Sequence, residues 1–237
     1  MAPFGASRAG LMSVAEDDIP DSVVDNFEDD PEGIYESGQT LNDYYTFGDQ
    51  ADFARTQSNV AEGSFAVELV TNNGREAMWS NPGDGLNNYP EHGDSLRVLL
   101  RGPGDDPEPG PIFNVEDSAS PGGYIMRLRV FPGEIELIKV NDFSTSDWAD
   151  SSSNFNTLDT TSVSVSSDTW YWAEVTPSWS GDNNISATIY EFDNGSRGSS
   201  LGTVSATDST YEDNQGVGVH SGSSQDTGTI VDGIEVI

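Results

Sequence analysis

Residues Tyr124 to Val140 read YIMRLRVFPGEIELIKV, two alternating runs joined at Pro132 and Gly133. Met126, Leu128 and Val130 share one face of the first run while Arg127 and Arg129 share the other, the period of two that marks a strand packed on one side. In the second run Glu134 and Glu136 share a face, followed on that face by Ile138. A turn centred on Pro132-Gly133 makes the pair a hairpin. With Phe131 facing Glu134 across that turn, Arg129 lies opposite Glu136, an opposite-charge pair worth roughly 0.2–1 kcal/mol.

The same period extends outward from this hairpin. From Val23 onward the pattern predicts thirteen short strands, the first at Val23 to Phe27 and the last at Thr229 to Val236, with turn residues between them and no helical period of 3.6. Short strands in this number predict an all-β chain: an antiparallel β-sandwich of two packed sheets. The polar stretches 102–111 and 141–156 read as long loops, where binding specificity tends to sit on such a scaffold. One stretch, SDTWYWAEVTPSW at 167–179, holds three of the five tryptophans. Alternation puts Tyr171, Ala173 and Val175 on one face and Trp170, Trp172 and Glu174 on the other, and the place of Trp172 beside Glu174 suggests the outer face of a sheet. Trp172 therefore needs a cover: a loop, another subunit or a ligand.

Nine Lys and Arg against 41 Asp and Glu leave the 237-residue chain at −32, and Lys139 is the only lysine. This is the surface of a halophilic protein. It repels itself at low salt and is screened at molar salt, where the Debye length falls to about 3 Å. Nucleic acid is not an expected partner, because phosphate binding needs a basic stripe and these cations are scattered. The acids are interleaved with apolar strands, which argues against a disordered acidic chain. There is no cysteine, hence no disulfide framework or thiolate metal site. No apolar run reaches membrane-spanning length, so membrane insertion is not expected. The first residues lack the charged start and continuous apolar stretch of a secretory signal. Residues 1–20, rich in Gly, Ala and Ser, are expected to form an extended arm ahead of a domain over 21–237.

The order GGYIMRLRVFPGEIELIKV, DTWYWAEVTPSWSGDNNISATIYEFDNGS, LGTVSATDSTYEDNQGVGVHSGSS and TIVDGIEV resembles a concanavalin-A-like, laminin-G-type jelly roll. Upstream, VVDNFEDD, SNVAEGSFAVELV and NYPEHGDSLRVLLRG resemble the first half of the same domain as it occurs in haloarchaea, so the resemblance spans about Val23 to Ile237. The chain departs from the pattern at Trp172, where the family usually has a polar residue. The opening FGASRAGLMSV is similar to the N-termini of virion structural proteins of haloarchaeal tailed viruses, in capsid turrets, capsid decoration or tail fibres.

These resemblances imply a non-enzymatic virion surface protein that adsorbs to host surface glycans. Its arm, through Phe4, Arg8, Leu11 and Met12, would dock on other capsid or tail proteins, and the module would act as a homo-oligomer, trimer or pentamer. The alternatives are a glycoside hydrolase of the same fold and a stand-alone carbohydrate-binding module.

A hydrolase needs two carboxylates about 5–9 Å apart. Glu134 and Glu136 are the best local pair, but the third acid that hydrolases of this fold carry on that strand is replaced by Ile138, and an arginine partner makes an ion pair the simpler reading. His92 and His220 are far apart, and no serine sits in a nucleophile elbow. The jelly-roll resemblance further implies a structural calcium tying the first strand to the last, with Glu28, Asp30 and Asp232 as ligands. Aromatic residues beside Asp and Asn suit sugar rings, whose C–H faces stack while the hydroxyls hydrogen-bond. Trp148, Tyr89, Tyr44, Tyr45 and Trp172 are the candidates.

Overall fold

The computed structural model describes residues 23–28, 34–35, 46–47, 53–70, 74–86, 88–102, 104, 108–145, 153–178, 184–223 and 228–237. Their strands are β1 (Val23–Asp25), β2 (Ile34–Tyr35), β3 (Thr46–Phe47), β4 (Phe53–Thr56), β5 (Ala66–Leu69), β6 (Gly74–Ser80), β7 (Leu96–Arg101) and β8 (Gly110–Val115). The second half adds β9 (Gly123–Arg129), β10 (Glu134–Val140), β11 (Phe155–Ser162), β12 (Trp170–Ser178), β13 (Asn184–Asp193), β14 (Ser196–Thr207), β15 (Gly216–Ser223) and β16 (Ile230–Val236). Among the described residues there is no α-helix, and none long and apolar enough to cross a membrane.

Two antiparallel sheets result. The first runs β14-β13-β12-β7-β16-β5-β4-β2, with β1 also on β16, and the second runs β11-β10-β9-β8-β15-β6-β3. The fold is an antiparallel jelly-roll sandwich. Its core is built by alternation: Leu96, Val98 and Leu100 of β7, Tyr171, Ala173 and Val175 of β12, and Met126 and Leu128 of β9 face one another between the sheets. A second apolar cluster of Ala77, Trp79, Ile112, Ile125, Ile138, Val140 and Phe143 lies on the far face of the second sheet. That sheet is therefore apolar on its inner face and over part of its outer one.

Every predicted strand overlaps an observed one, and β2, β4 and β11 are additional. β11, with the sequence FNTLDTTS, is an edge strand, largely polar and solvent-facing, so it carries little of the apolar alternation that reveals a half-buried strand. The register of the central hairpin needs a correction. Glu134 lies opposite Arg129 and Glu136 opposite Arg127, which makes the connection four residues long, Val130 to Gly133. A two-residue hairpin turn needs φ above zero at its first position, which proline's ring forbids, so the loop widens. Gly133, at φ 86°, supplies the left-handed residue instead.

Candidate functional site

On the outer face of the second sheet, β9 and β10 bring Arg127 and Arg129 beside Glu134 and Glu136, and Glu108, just ahead of β8, joins them. Arg127 donates from Nη1 to Glu108 Oε2 and from Nε to Glu136 Oε2, each at 2.7 Å. Arg129 pairs with Glu134 and lies 3.2 Å from Glu108 Oε1. Arg127, Glu108 and Glu136 are all buried, and the Arg127 guanidinium sits 5.1 Å over the Phe155 ring. The carboxylates a hydrolase would draw on are thus tied up in charge-assisted hydrogen bonds.

The outer face of the first sheet answers the question raised by Trp172. The side chain is on the predicted face, yet it is only 1% exposed, so it offers no surface to a ligand, and its assignment as a glycan contact is corrected. Its own chain covers it. The Arg97 guanidinium lies 4.5 Å over the indole while bonding Glu235 from Nε at 3.1 Å, and the Phe192 ring stands beside it at 6.1 Å. Next to this pair, Arg197 lies 4.6 Å over Tyr190 and bonds Glu174 at 2.5 Å. Arginines thus cap both outward aromatic rings.

Glu28, after β1, and Asp232, in β16, both grip the loop between β4 and β5. Asp232 Oδ2 accepts from the amides of Ala61 and Glu62 at 2.7 and 2.8 Å, and Glu28 Oε1 accepts from Ser64 and Phe65 at 2.7 and 3.0 Å. Between them Gly63 has φ 65°, and a β-carbon there would collide with Glu28 Oε1, so two independent constraints require glycine. Burial pushes the Asp232 carboxyl up to about 6; the two amides oppose the shift, and the negative charges of Glu62 and Glu28 add to it. Among the described residues, no group of three or more acidic or histidine side chains is placed to hold a metal ion. The donor chemistry nonetheless fits a hard cation: two carboxylates meet on one loop, and the buried one bears the repulsion of its like-charged neighbours.

Tyr89 packs against the core, and its hydroxyl meets Ser80 Oγ at 2.5 Å. Tyr44, Tyr45, Trp148, Asp30 and the arm residues Phe4, Arg8, Leu11 and Met12 lie outside the described residues. Sequence does not reveal Glu108, Arg127 and Glu136 as a buried unit, because Glu108 sits in the Pro- and Gly-rich GPGDDPEPGP, which reads as turn chemistry. No sequence signal places Glu62 beside Asp232.

No family model and no curated protein matches the chain. Solved structures match its fold. A carbohydrate-binding module, CBM66 of Bacillus subtilis, is similar at a TM-score of 0.53 and 11% identity, over 84% of this chain and 97% of that one. The exoplasmic/lumenal domain of VIP36, in a form bound to Ca2+ and Man3GlcNAc, is similar at 0.51 and 12% identity, over 82% and 83%. The carbohydrate recognition domain of Emp46p, metal-free, is similar at 0.50 and 9% identity, over 91% and 95%. The chain therefore has the lectin-type, concanavalin-like jelly-roll fold.

Proposed function

We propose that this protein is a non-enzymatic glycan-binding module on the surface of a tailed virus of haloarchaea. The observation that carries the reading is the sandwich itself, which is similar over most of both chains to the carbohydrate-binding module CBM66, to the Man3GlcNAc-bound domain of VIP36 and to the carbohydrate recognition domain of Emp46p. Two features support its finer parts. Glu134 and Glu136 are engaged by arginines and so lack the free, paired carboxylates of a glycosidase. The net charge of −32 suits molar salt, and FGASRAGLMSV is similar to the N-termini of virion structural proteins of haloarchaeal tailed viruses. Residues 1–20 dock the module on capsid or tail proteins, and several copies per site, as a trimer or pentamer, turn weak single-site affinity into avidity. A structural calcium, held by Glu28 and Asp232, neutralises the acids that join the first and last strands to the loop between β4 and β5.

Removing residues 1–18 separates docking from folding. The shortened chain loses its place in purified particles while its circular dichroism at molar salt is unchanged; incorporation at the level of the full chain contradicts the docking role.

A further inference from the structure

Where β11 passes from the second sheet to β12 in the first, the connecting residues 163–169 and the β13–β14 hairpin enclose an open groove of about 530 Å³. This lies within the ~300–1,000 Å³ usual for small-molecule sites. Its lining combines the half-buried ring of Trp170, the carboxylates of Glu191 and Asp193, and the hydroxyls of Ser166 and Ser199, with no Arg, Lys or His; Tyr171 also borders it, but its ring is buried in the core.

Both walls are fixed. On one side, the Ser166 amide donates to Tyr171 Oη at 2.8 Å, Asp168 N donates to Gly102 O at 2.9 Å, and Arg101 donates to the Asp168 carboxylate at 2.5 Å. The Val163 amide bonds Gly133 O at 2.9 Å, which ties the same connection to the central hairpin. On the other side, the β13–β14 register shifts between Ile189 and Tyr190 and again between Tyr190 and Phe192, so Tyr190 pairs with Ser200 but Phe192 with Arg197. The bulge leaves Gly198 and Ser199 out of the ladder. A β-carbon on Gly198 would lie 3.0 Å from Glu191 Cβ, so any larger residue there would press on Glu191. Bulges of this kind re-aim side chains beside functional sites.

We propose that this groove binds a neutral saccharide. Resting on the glycan-binding reading above, the assignment locates the site and narrows the ligand. An aromatic ring takes the C–H face of a sugar, while carboxylates and hydroxyls take its hydroxyl groups. A site lined by two acids and no cation, on a chain of −32, repels sulfated or uronate sugars. Fixed walls lower the ordering cost of binding.

The test uses the full chain at molar salt, titrated with maltotriose, mannotriose, N-acetylchitotriose and trigalacturonate, with binding read by calorimetry and by the indole N–H resonance of Trp170. The expected result is binding of at least one neutral trisaccharide, a shift at Trp170, and no binding of trigalacturonate. Ser199→Trp, which fills the groove, and Glu191→Gln, at an exposed position, each lower affinity about tenfold or more with unchanged thermal midpoints. If a neutral trisaccharide binds and both variants keep its affinity within about twofold, the groove assignment falls while glycan binding stands. If the wild-type chain binds no neutral trisaccharide, both fall.

Discussion

Trp172 shows what alternation alone conveys. Its face follows from the period of two, and the departure from the polar residue usual in this fold marks the position as special. Its cover does not follow, because Arg97, Phe192 and Trp172 come from three strands whose neighbourhood is set only once the sheet order is known. With the indole buried under a guanidinium, Trp172→Ala opens a cavity and strips Arg97 of its stacking partner. Chemical denaturation at molar salt should show a loss of about 3–5 kcal/mol. Saccharide binding by the folded fraction should be unaltered; a loss below about 1 kcal/mol would mean the side chain is not packed as described. Arg127 teaches the same lesson from the other sheet. Its face is evident in MRLRV, but its partner depended on the length of the turn, and proline's fixed φ moved the pairing from Arg129 to Arg127.

Among elements, strands with apolar alternation emerge from sequence and the polar edge strand β11 does not. β11 and β14 are the outer strands on one side of the two sheets; half of β11 is Ser or Thr, and β14 consists largely of Ser, Thr and Gly. They also meet, with the Ser205 amide donating to Asp159 Oδ2 at 2.8 Å. The groove lies at this seam. The clasp of Glu28 and Asp232 on the loop between β4 and β5 carries a pH dependence of known sign. Asp232 binds its proton more tightly in the folded state, at about 6, than in an unfolded chain, at about 3.9. Its stabilising contribution is therefore full below about pH 4 and is lost as pH rises through about 6. Asp208 acts in the opposite sense. Although burial pushes it upward, hydrogen bonds from Lys139, Tyr124 and Thr210 bring it down to about 2, so its contribution is present above about pH 4 and lost in acid. Asp232→Asn keeps a carbonyl oxygen for the two amides and removes the charge. Between pH 4 and 7, the stability of the wild-type chain relative to this variant should fall in calcium-free buffer. Millimolar calcium should restore it in the wild-type chain and leave the variant unchanged. Thermal midpoints with and without chelator decide this, and an equal calcium response in both chains contradicts the clasp as a cation site.

At the scale of the molecule, seven of the nine cations are engaged by other groups of the fold. Arg55, Arg97, Arg101, Arg127, Arg129, Lys139 and Arg197 each hold a carboxylate, a carbonyl or an aromatic ring. The chain as a whole remains strongly acidic, at −32. The chain should accordingly unfold, by circular dichroism, on dialysis from molar salt into low-salt buffer without divalent ions, and recover when salt is returned. An intact fold in low salt would show that the surplus is balanced within the molecule.

The central claim, a non-enzymatic lectin-type module, is tested most directly on an immobilised neutral polysaccharide at molar salt, with the column assayed for released reducing ends. The account predicts that the full chain is retained, that a free neutral saccharide elutes it, and that no reducing ends appear. Passage straight through the column, or steady release of reducing ends by the bound protein, would contradict it.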